Sequence, residues 1–456
     1  MTQSVRSGTS LAGSLREIEN ICAGEDPFEY SPAQLRPLQL DAARQMFDEM
    51  RPHIPILDRR ARETGTDSID DESDLIRLLL SHTTYKSYPQ SFVANRQWDR
   101  LSKWLGLVST ESFEHVDAAG ATDIDDWLQA MWASGYKITT SSGTGGKVSL
   151  LPKSERDMQR YDEYIRRFRG WPNPAKANRD RHFFIFGPIE GAYTGVISAA
   201  FARDHFARPD SVHVLIDEPL KIAKVSQSAA FREKLKAGTA TPDEIATMEA
   251  EGAVQAAKSA ARIDEMVADI FRLRQEPQYI MGMSAQIYDL VLRARAQNIG
   301  DGEFHPETIV SHGGGTKHFK LPADYGEQIV KFFGDVIWST GYGMTEMTWL
   351  SNQCPAGNHH LPPSILPLIL DESGENMIEP HDGIVTGRFA FVDLLTDIRW
   401  GGMISGDKVT ADLAGNCPCG HGGVVLHSIG RFESDTDDKI QCSGTIDAYI
   451  RGAVVE

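Results

Sequence analysis

The sequence predicts a layered α/β fold with a smaller β-rich subdomain, and three observations predict it. From about residue 135 to 345, short β-like runs alternate with amphipathic helical stretches. Before about 120, apolar residues recur at helical spacing alone. After Glu346 the texture turns to Pro, Gly and short β runs such as "GIVTGRFAFVDLL". The expected divisions are a helical region over 1–120, an α/β core over 121–345, a β-rich subdomain over 346–430 and a short tail over 431–456.

In the helical region, "SPAQLRPLQLDAARQMFDEM" offers Ser31 as an N-cap and an apolar face through Leu40, Ala43, Met46 and Phe47. The acidic "TDSIDDESD" (66–74) reads as a solvated loop or helix start rather than a cation site. Strands are expected at "HFFIFG" (182–187), "SVHVLID" (211–217), "QYIMG" (278–282), "TIVSHGGG" (308–315) and "DVIWSTGYG" (335–343). Between them, "ARIDEMVADIFRLRQ" puts Ile263, Met266, Val267, Ile270 and Phe271 on one helical face. "SAQIYDLVLRARAQ" does the same with Ile287, Leu290, Val291 and Ala294.

The totals bound the function classes. The 456 residues, 41% apolar and 24% charged, are enough for two or more domains with a large core. A formal net charge of -18 opposes binding to duplex nucleic acid and to an anionic membrane surface, leaving a small molecule or a protein as partner. No window approaches ~18 consecutive apolar residues, and the first twenty or so residues lack the apolar core of a secretory signal, so the expected compartment is the cytoplasm. The five cysteines, Cys22, Cys354, Cys417, Cys419 and Cys442, are too few and too uneven for a disulfide framework. Nothing in the sequence sets an oligomeric state.

The stretch "TTSSGTGGKVSLLPKSERD" (139–157) concentrates hydroxyls and glycines in front of a lysine. It is not a Walker loop, because Ser141 stands five before Gly146 where glycine is needed, and Val148 follows Lys147. What remains is a loop of Ser141, Ser142, Gly143, Thr144, Gly145 and Gly146, whose backbone N–H groups and hydroxyls suit a polyphosphate, with Lys147 as a mobile charge. A polar turn has the same composition. Two distant motifs add to it. "STGYGMTEM" (339–347) offers an aromatic face at Tyr342, close backbone approach at Gly343, a hydroxyl at Thr345 and a carboxylate for Mg2+ at Glu346. "GGMISGDKV" places Asp407 after a glycine, suited to accept from ribose hydroxyls.

These three motifs, in this order, resemble the adenylate-forming superfamily of acyl-CoA synthetases, adenylation domains and luciferases. The resemblance implies the large N-terminal domain of such enzymes, with Ser141 to Lys147 as pyrophosphate loop, Tyr342 to Glu346 as adenine and magnesium motif, and Asp407 as ribose carboxylate. The loop departs from the usual pattern at Gly145 and Val148, in place of threonine and proline. "SHGGGTKHF" (311–319), which supplies Gly313 and Gly314, and "STGYGMTEMTWLSNQCPAGNHHLPP" resemble most the acyl-protein synthetase, or luciferin-component ligase, of bacterial bioluminescence operons and the related phenylacetate-CoA ligases. The resemblance runs over about residues 80 to 450.

Cys354, His360, Cys417 and Cys419 form a Cys…His…Cys-x-Cys set whose chemistry suits tetrahedral zinc, although free buried cysteines fit the spacing equally. Similar cysteines in phenylacetate-CoA ligase-like proteins imply the metal, with His359 as substitute for His360. Most superfamily members continue past a Gly-Arg hinge, here Gly430 and Arg431, into a domain with a second catalytic lysine; the sequence stops at Glu456, so that domain is expected to be truncated or absent. Lys317, Lys408 and Lys439 are the alternative cations. "KIQCSGT" resembles the acyl-accepting cysteine context of the bioluminescence synthetases, while alone Cys442 reads as a strand cysteine.

The activity these resemblances imply is attack of a carboxylic acid on MgATP, giving an acyl-adenylate, then transfer to a thiol. The acceptor is Cys442 followed by a partner protein, such as a reductase, or else CoA or a carrier-protein pantetheine. Lys147 and the loop would hold phosphates, Tyr342 the adenine and Arg431 the ribose or a phosphate. "FGPIEGAYTG" (186–195) is expected to line the acid pocket. The basic helix with Arg156, Arg160, Arg166, Arg167 and Arg169 reads as a solvated face. A ligase using another nucleophile and a non-catalytic, zinc-stabilised nucleotide-binding protein are the alternatives.

Overall fold

The computed structural model describes residues 13–141, 147–313 and 321–432. They cluster into two compact units, one of residues 13–139, 149–161 and 341–432, the other of 140–141, 147–148, 162–313 and 321–340.

The first unit joins both ends of the described chain. Its helices include Gly13–Ala23, Pro32–Met50, Glu72–Leu78, Trp98–Gly106 and Ile124–Ala133. Ser31 caps Pro32–Met50 as expected: its hydroxyl accepts from the N–H of Gln34, and Gln34 accepts back from the N–H of Ser31 at 2.8 Å. Asp71, inside the acidic run, caps Glu72–Leu78 in the same reciprocal way with Asp74. The buried face of Pro32–Met50 carries Leu35, Ala42, Ala43, Met46, Phe47 and Met50. Its buried Gln39 amide donates to the carbonyls of Pro363 (2.8 Å) and Ile365 (3.0 Å), so the helix is fastened to strand Ile365–Leu370.

That strand edges an eight-stranded sheet, whose order is Ile365–Leu370, Ile384–Asp393, Gly402–Asp412, Val425–Arg431, His359–His360, Ser351–Gln353 and Gly341–Tyr342. These strands pair antiparallel, and Leu80–Ser81 adds in parallel to Gly402–Asp412.

The second unit holds a five-stranded parallel sheet, ordered Ala207–Ile216, Arg181–Pro188, Gln278–Met283, Ile309–Gly313 and Ile337–Trp338. Helices Thr194–Phe206, Pro242–Arg272, Ser284–Ala296 and Tyr325–Phe333 alternate with these strands, as parallel neighbours require. Met266, Ile270, Ile287 and Val291, from the two expected amphipathic faces, pack in one core with Phe184, Ile280 and Val310 from the strands. The expected run 335–343 divides: Ile337–Trp338 ends this parallel sheet, and Gly341–Tyr342 belongs to the sheet of the first unit. Among the described residues no helix is long and apolar enough to cross a membrane.

Candidate functional site

In the first unit, register alone brings two of the motif residues face to face. Asp407 lies opposite Arg431 across the antiparallel pair Gly402–Asp412 and Val425–Arg431. The Asp407 Oδ1 to Arg431 Nε distance is 3.3 Å, and Tyr342 donates its hydroxyl to Asp407 Oδ2 at 2.7 Å. Burial, and next the Asp407 carboxylate, hold the Tyr342 phenol well above its ordinary pKa, so it stays a donor. Its ring meets Phe389 and His359 edge-on, with centroids 5.9 and 6.4 Å apart. At Gly343 a Cβ would lie 2.3 Å from Leu350 Cδ2, so what crowds this glycine is the movable end of the protein's own leucine side chain.

Thr345 and Glu346 are buried. The Glu346 carbonyl accepts from Nη2 of the fully buried Arg399. Burial raises the Glu346 carboxyl pKa, with Arg399, Lys86 and Lys153 pulling it back. Lys153 is itself buried; burial and then Arg399 push its ammonium down to about 8, against the attraction of Asp157, Asp393 and Glu346. Two buried carboxylates fix the surrounding loops. Asp393 accepts from the N–H groups of Thr348 and Leu395, and Asp157 from those of Ser154 and Asp397. Sequence reasoning missed Lys153, Asp393 and Arg399 around Glu346. Their signal was charge inside apolar runs, in "LLPKSERD" and "DLLTDIRW".

The second unit holds the other motif residues. Thr140 donates its N–H to the Ala192 carbonyl at 2.8 Å and leads into the buried Ser141. Lys147 is half-buried, which lowers its pKa. Ser142, Gly143, Thr144, Gly145 and Gly146 lie outside the described residues, as do Gly314, Lys317, Lys439 and Cys442. Gly313 ends strand Ile309–Gly313, and its carbonyl lies 3.4 Å from the Ser284 hydroxyl.

The basic helix departs from the solvated face expected of it. Arg156 and Arg160 grip Glu19 at 2.8 and 2.5 Å, and Arg169 is buried, while Arg166 pairs with Glu163 at the surface.

The cysteine and histidine set comes together in the first unit. Its four ligand atoms, from Cys354, His360, Cys417 and Cys419, lie within 4.8 Å of one another. Cys354 and Cys417 sulfurs are 3.7 Å apart, close to the edge of ~3.8 Å that tetrahedral bonds of about 2.3 Å imply. His360 Nε2 is 3.3 Å from the Cys419 sulfur, and its Nδ1 donates to the Gly422 carbonyl at 2.7 Å, which leaves the Nε2 lone pair for an ion. Asn358 Nδ2 donates to the Cys417 sulfur at 3.4 Å. Burial, with hydrogen bonds to Cys417 and Cys354, raises the Cys419 thiol to about 12. Three sulfurs and an imidazole fit zinc, and His360 rather than His359 completes the set.

No protein-family model matches the sequence, and no curated protein matches it. Among solved structures, the chain is similar to an open conformation of 2-hydroxyisobutyryl-CoA ligase in complex with 2-HIB-AMP and CoA. That likeness has 12% identity and a TM-score of 0.51, covering 87% of this chain and 74% of the ligase. Against the same ligase in its thioesterification state the identity is 14% and the TM-score 0.52, over 88% and 68% of the two chains. At such identity the likeness speaks for architecture, and the chain carries the α/β fold of these ligase structures over most of its length.

Proposed function

We propose that this chain is an adenylate-forming ligase that activates a carboxylic acid with MgATP and passes the acyl group to a thiol. The observation that carries the reading is the convergence of Tyr342 and Asp407, 65 residues apart, with Arg431 on the other oxygen of the same carboxylate. An aromatic ring, an acceptor for ribose hydroxyls and a cation on one sheet form a nucleoside-binding set.

In the reaction, a carboxylate oxygen of the acid attacks the α-phosphorus, the bond to the β,γ-pyrophosphate breaks, and pyrophosphate leaves. Lys147 and the loop hydroxyls would bind its phosphates, and Glu346 would hold magnesium, which would offset the charge on the leaving group. Arg399, through the Glu346 carbonyl, fixes the turn that presents this carboxylate. A thiolate then attacks the acyl carbon, AMP leaves, and the thiol proton passes to solvent. Two acceptors fit. Cys442 is favoured by the context "KIQCSGT", which resembles the acyl-accepting cysteine of bioluminescence acyl-protein synthetases. CoA is favoured by the ligase of like fold, which holds 2-HIB-AMP and CoA. Zinc at Cys354, His360, Cys417 and Cys419 is structural, since four protein ligands leave no open position.

Hydroxylamine trapping tests the sequence of steps. With ATP and a panel of fatty, aryl and amino acids, the reading predicts acid-specific hydroxamate with release of AMP and pyrophosphate. With labelled acid and no CoA, label retained on wild type but not on Cys442→Ser assigns Cys442 as acceptor; product formed only on adding CoA assigns CoA. No hydroxamate from any acid would favour a nucleotide-binding protein without catalysis.

A further inference from the structure

Among the described residues, Arg169 is a buried cation without a counter-charge. It comes directly after helix Glu155–Phe168, and its place is set by the next residue. Gly170 has φ +84, and a Cβ there would meet Ile337 Cγ2 at 2.2 Å, so the chain turns tightly against strand Ile337–Trp338. Arg169 thereby reaches Ser339, just beyond that strand: Nη1 lies 3.4 Å from the Ser339 hydroxyl, and Nη2 donates to the Ser198 hydroxyl at 2.8 Å. The residue is 7% exposed, and its buried Nε has no partner among the described residues.

The other deeply buried arginines are provided for differently. Arg181 pairs with Asp180 at 2.7 Å and donates to two carbonyls, and Arg399 donates to the carbonyls of Glu346 and Trp400 under the field of Asp393 and Asp157. Arg169 has two neutral hydroxyls and, among the described residues, no carboxylate. Burying a guanidinium this way is costly unless an anion completes the site. One turn before Ser198 on the same helical face, Thr194 Oγ1 is also buried without a partner among the described residues. Their helix, Thr194–Phe206, starts beside the strand residue that leads into the glycine-rich loop, since Thr140 bridges Tyr193.

We propose that Arg169, with Ser198, Ser339 and Thr194, receives an oxyanion, and that this is a second carboxylate carried by the acid substrate. The substrate class is then dicarboxylic acids, activated at one end and held at the other. The site itself needs only a guanidinium and hydroxyls to fork around a carboxylate; its assignment to the acid rests on the adenylation reading, and a nucleotide phosphate is the other source of the same chemistry.

The test is calorimetric titration and thermal shift of the full chain without ATP. The probes are glutarate and adipate, the monoacids butyrate and hexanoate, and pyrophosphate, with sodium chloride matching ionic strength. The expected result is binding of the dicarboxylates but not the monoacids, weakened roughly tenfold to a hundredfold in Arg169→Gln and weakened also in Ser198→Ala. Should Arg169→Gln fail to fold, Ser198→Ala and Ser339→Ala carry the comparison. Pyrophosphate binding that depends on Arg169, without dicarboxylate binding, keeps the oxyanion site but overturns its assignment to the acid. Anions no better than chloride on wild type, or undiminished in the variants, overturn the site. None of these readouts needs turnover, so their failure is separable from failure of the adenylation reading.

Discussion

His359 and His360 are neighbours whose side chains leave opposite faces of one strand, and the two faces do different work. His359 meets the Tyr342 ring, while His360 faces Cys419 and the cysteine cluster. Cys417→Ser is therefore expected to abolish zinc binding and lower the melting temperature together, because an ion that needs a formed site is linked to folding. Metal analysis beside calorimetry checks it, and full stability in a metal-free preparation would contradict it. Tyr342→Phe removes the donor from Asp407 and leaves Arg431. It should cost about 1 to 3 kcal/mol in a denaturant titration, as loss of a hydrogen bond to a charged group does. An unchanged midpoint would mean the bond contributes nothing. Tyr342, Asp407 and the grouping of Cys354, His360, Cys417 and Cys419 were legible in the sequence because their types and motifs single them out. Lys153 and Arg399 showed only as charges inside apolar runs, a signal that does not say what they face until the chain is folded.

At the scale of elements, helix Gly13–Ala23 is tied by Glu19 to Arg156 and Arg160. Burial raises the Glu19 pKa, but the two guanidiniums outweigh it and the net shift is downward. The stabilisation is thus present above the ordinary carboxylate range and is lost as pH falls through the lowered folded value. Glu19→Gln should destabilise by about 1 to 3 kcal/mol at neutral pH, and in acid-unfolding curves the difference should shrink as pH falls below the ordinary glutamate value of about 4.3 and vanish below the lowered folded one. A pH-independent difference would exclude the ion pair as its cause. Gly170→Ala meets both a left-handed backbone and the Ile337 methyl, so a loss of at least about 1 kcal/mol is expected by thermal denaturation. The strands of the parallel sheet and the capped helices were readable element by element, since period and caps are local signals. The split of 335–343 between two sheets was not, because one continuous β-like run hides where the chain changes partners.

For the whole molecule, chain order and spatial order differ. The N-terminal helices carry none of the motif residues, yet Gln39 binds carbonyls 324 and 326 residues ahead, and Trp400 donates to the Leu78 carbonyl at 3.1 Å. Such pairings leave no periodic trace, so the joining of residues 13–139 with 341–432 in one unit became visible only in three dimensions. The fold class itself was legible, because alternating strands and amphipathic helices admit few architectures. Its chemistry is tested most directly by acid-dependent exchange of labelled pyrophosphate into ATP. Exchange is expected in the zinc-loaded wild type with at least one acid of the panel, reduced on the order of a hundredfold or more in Lys147→Ala and Glu346→Gln, as removal of a charge-stabilising group reduces comparable reactions. Wild-type exchange in both variants, or none with any acid from folded wild type, would contradict the adenylation reading.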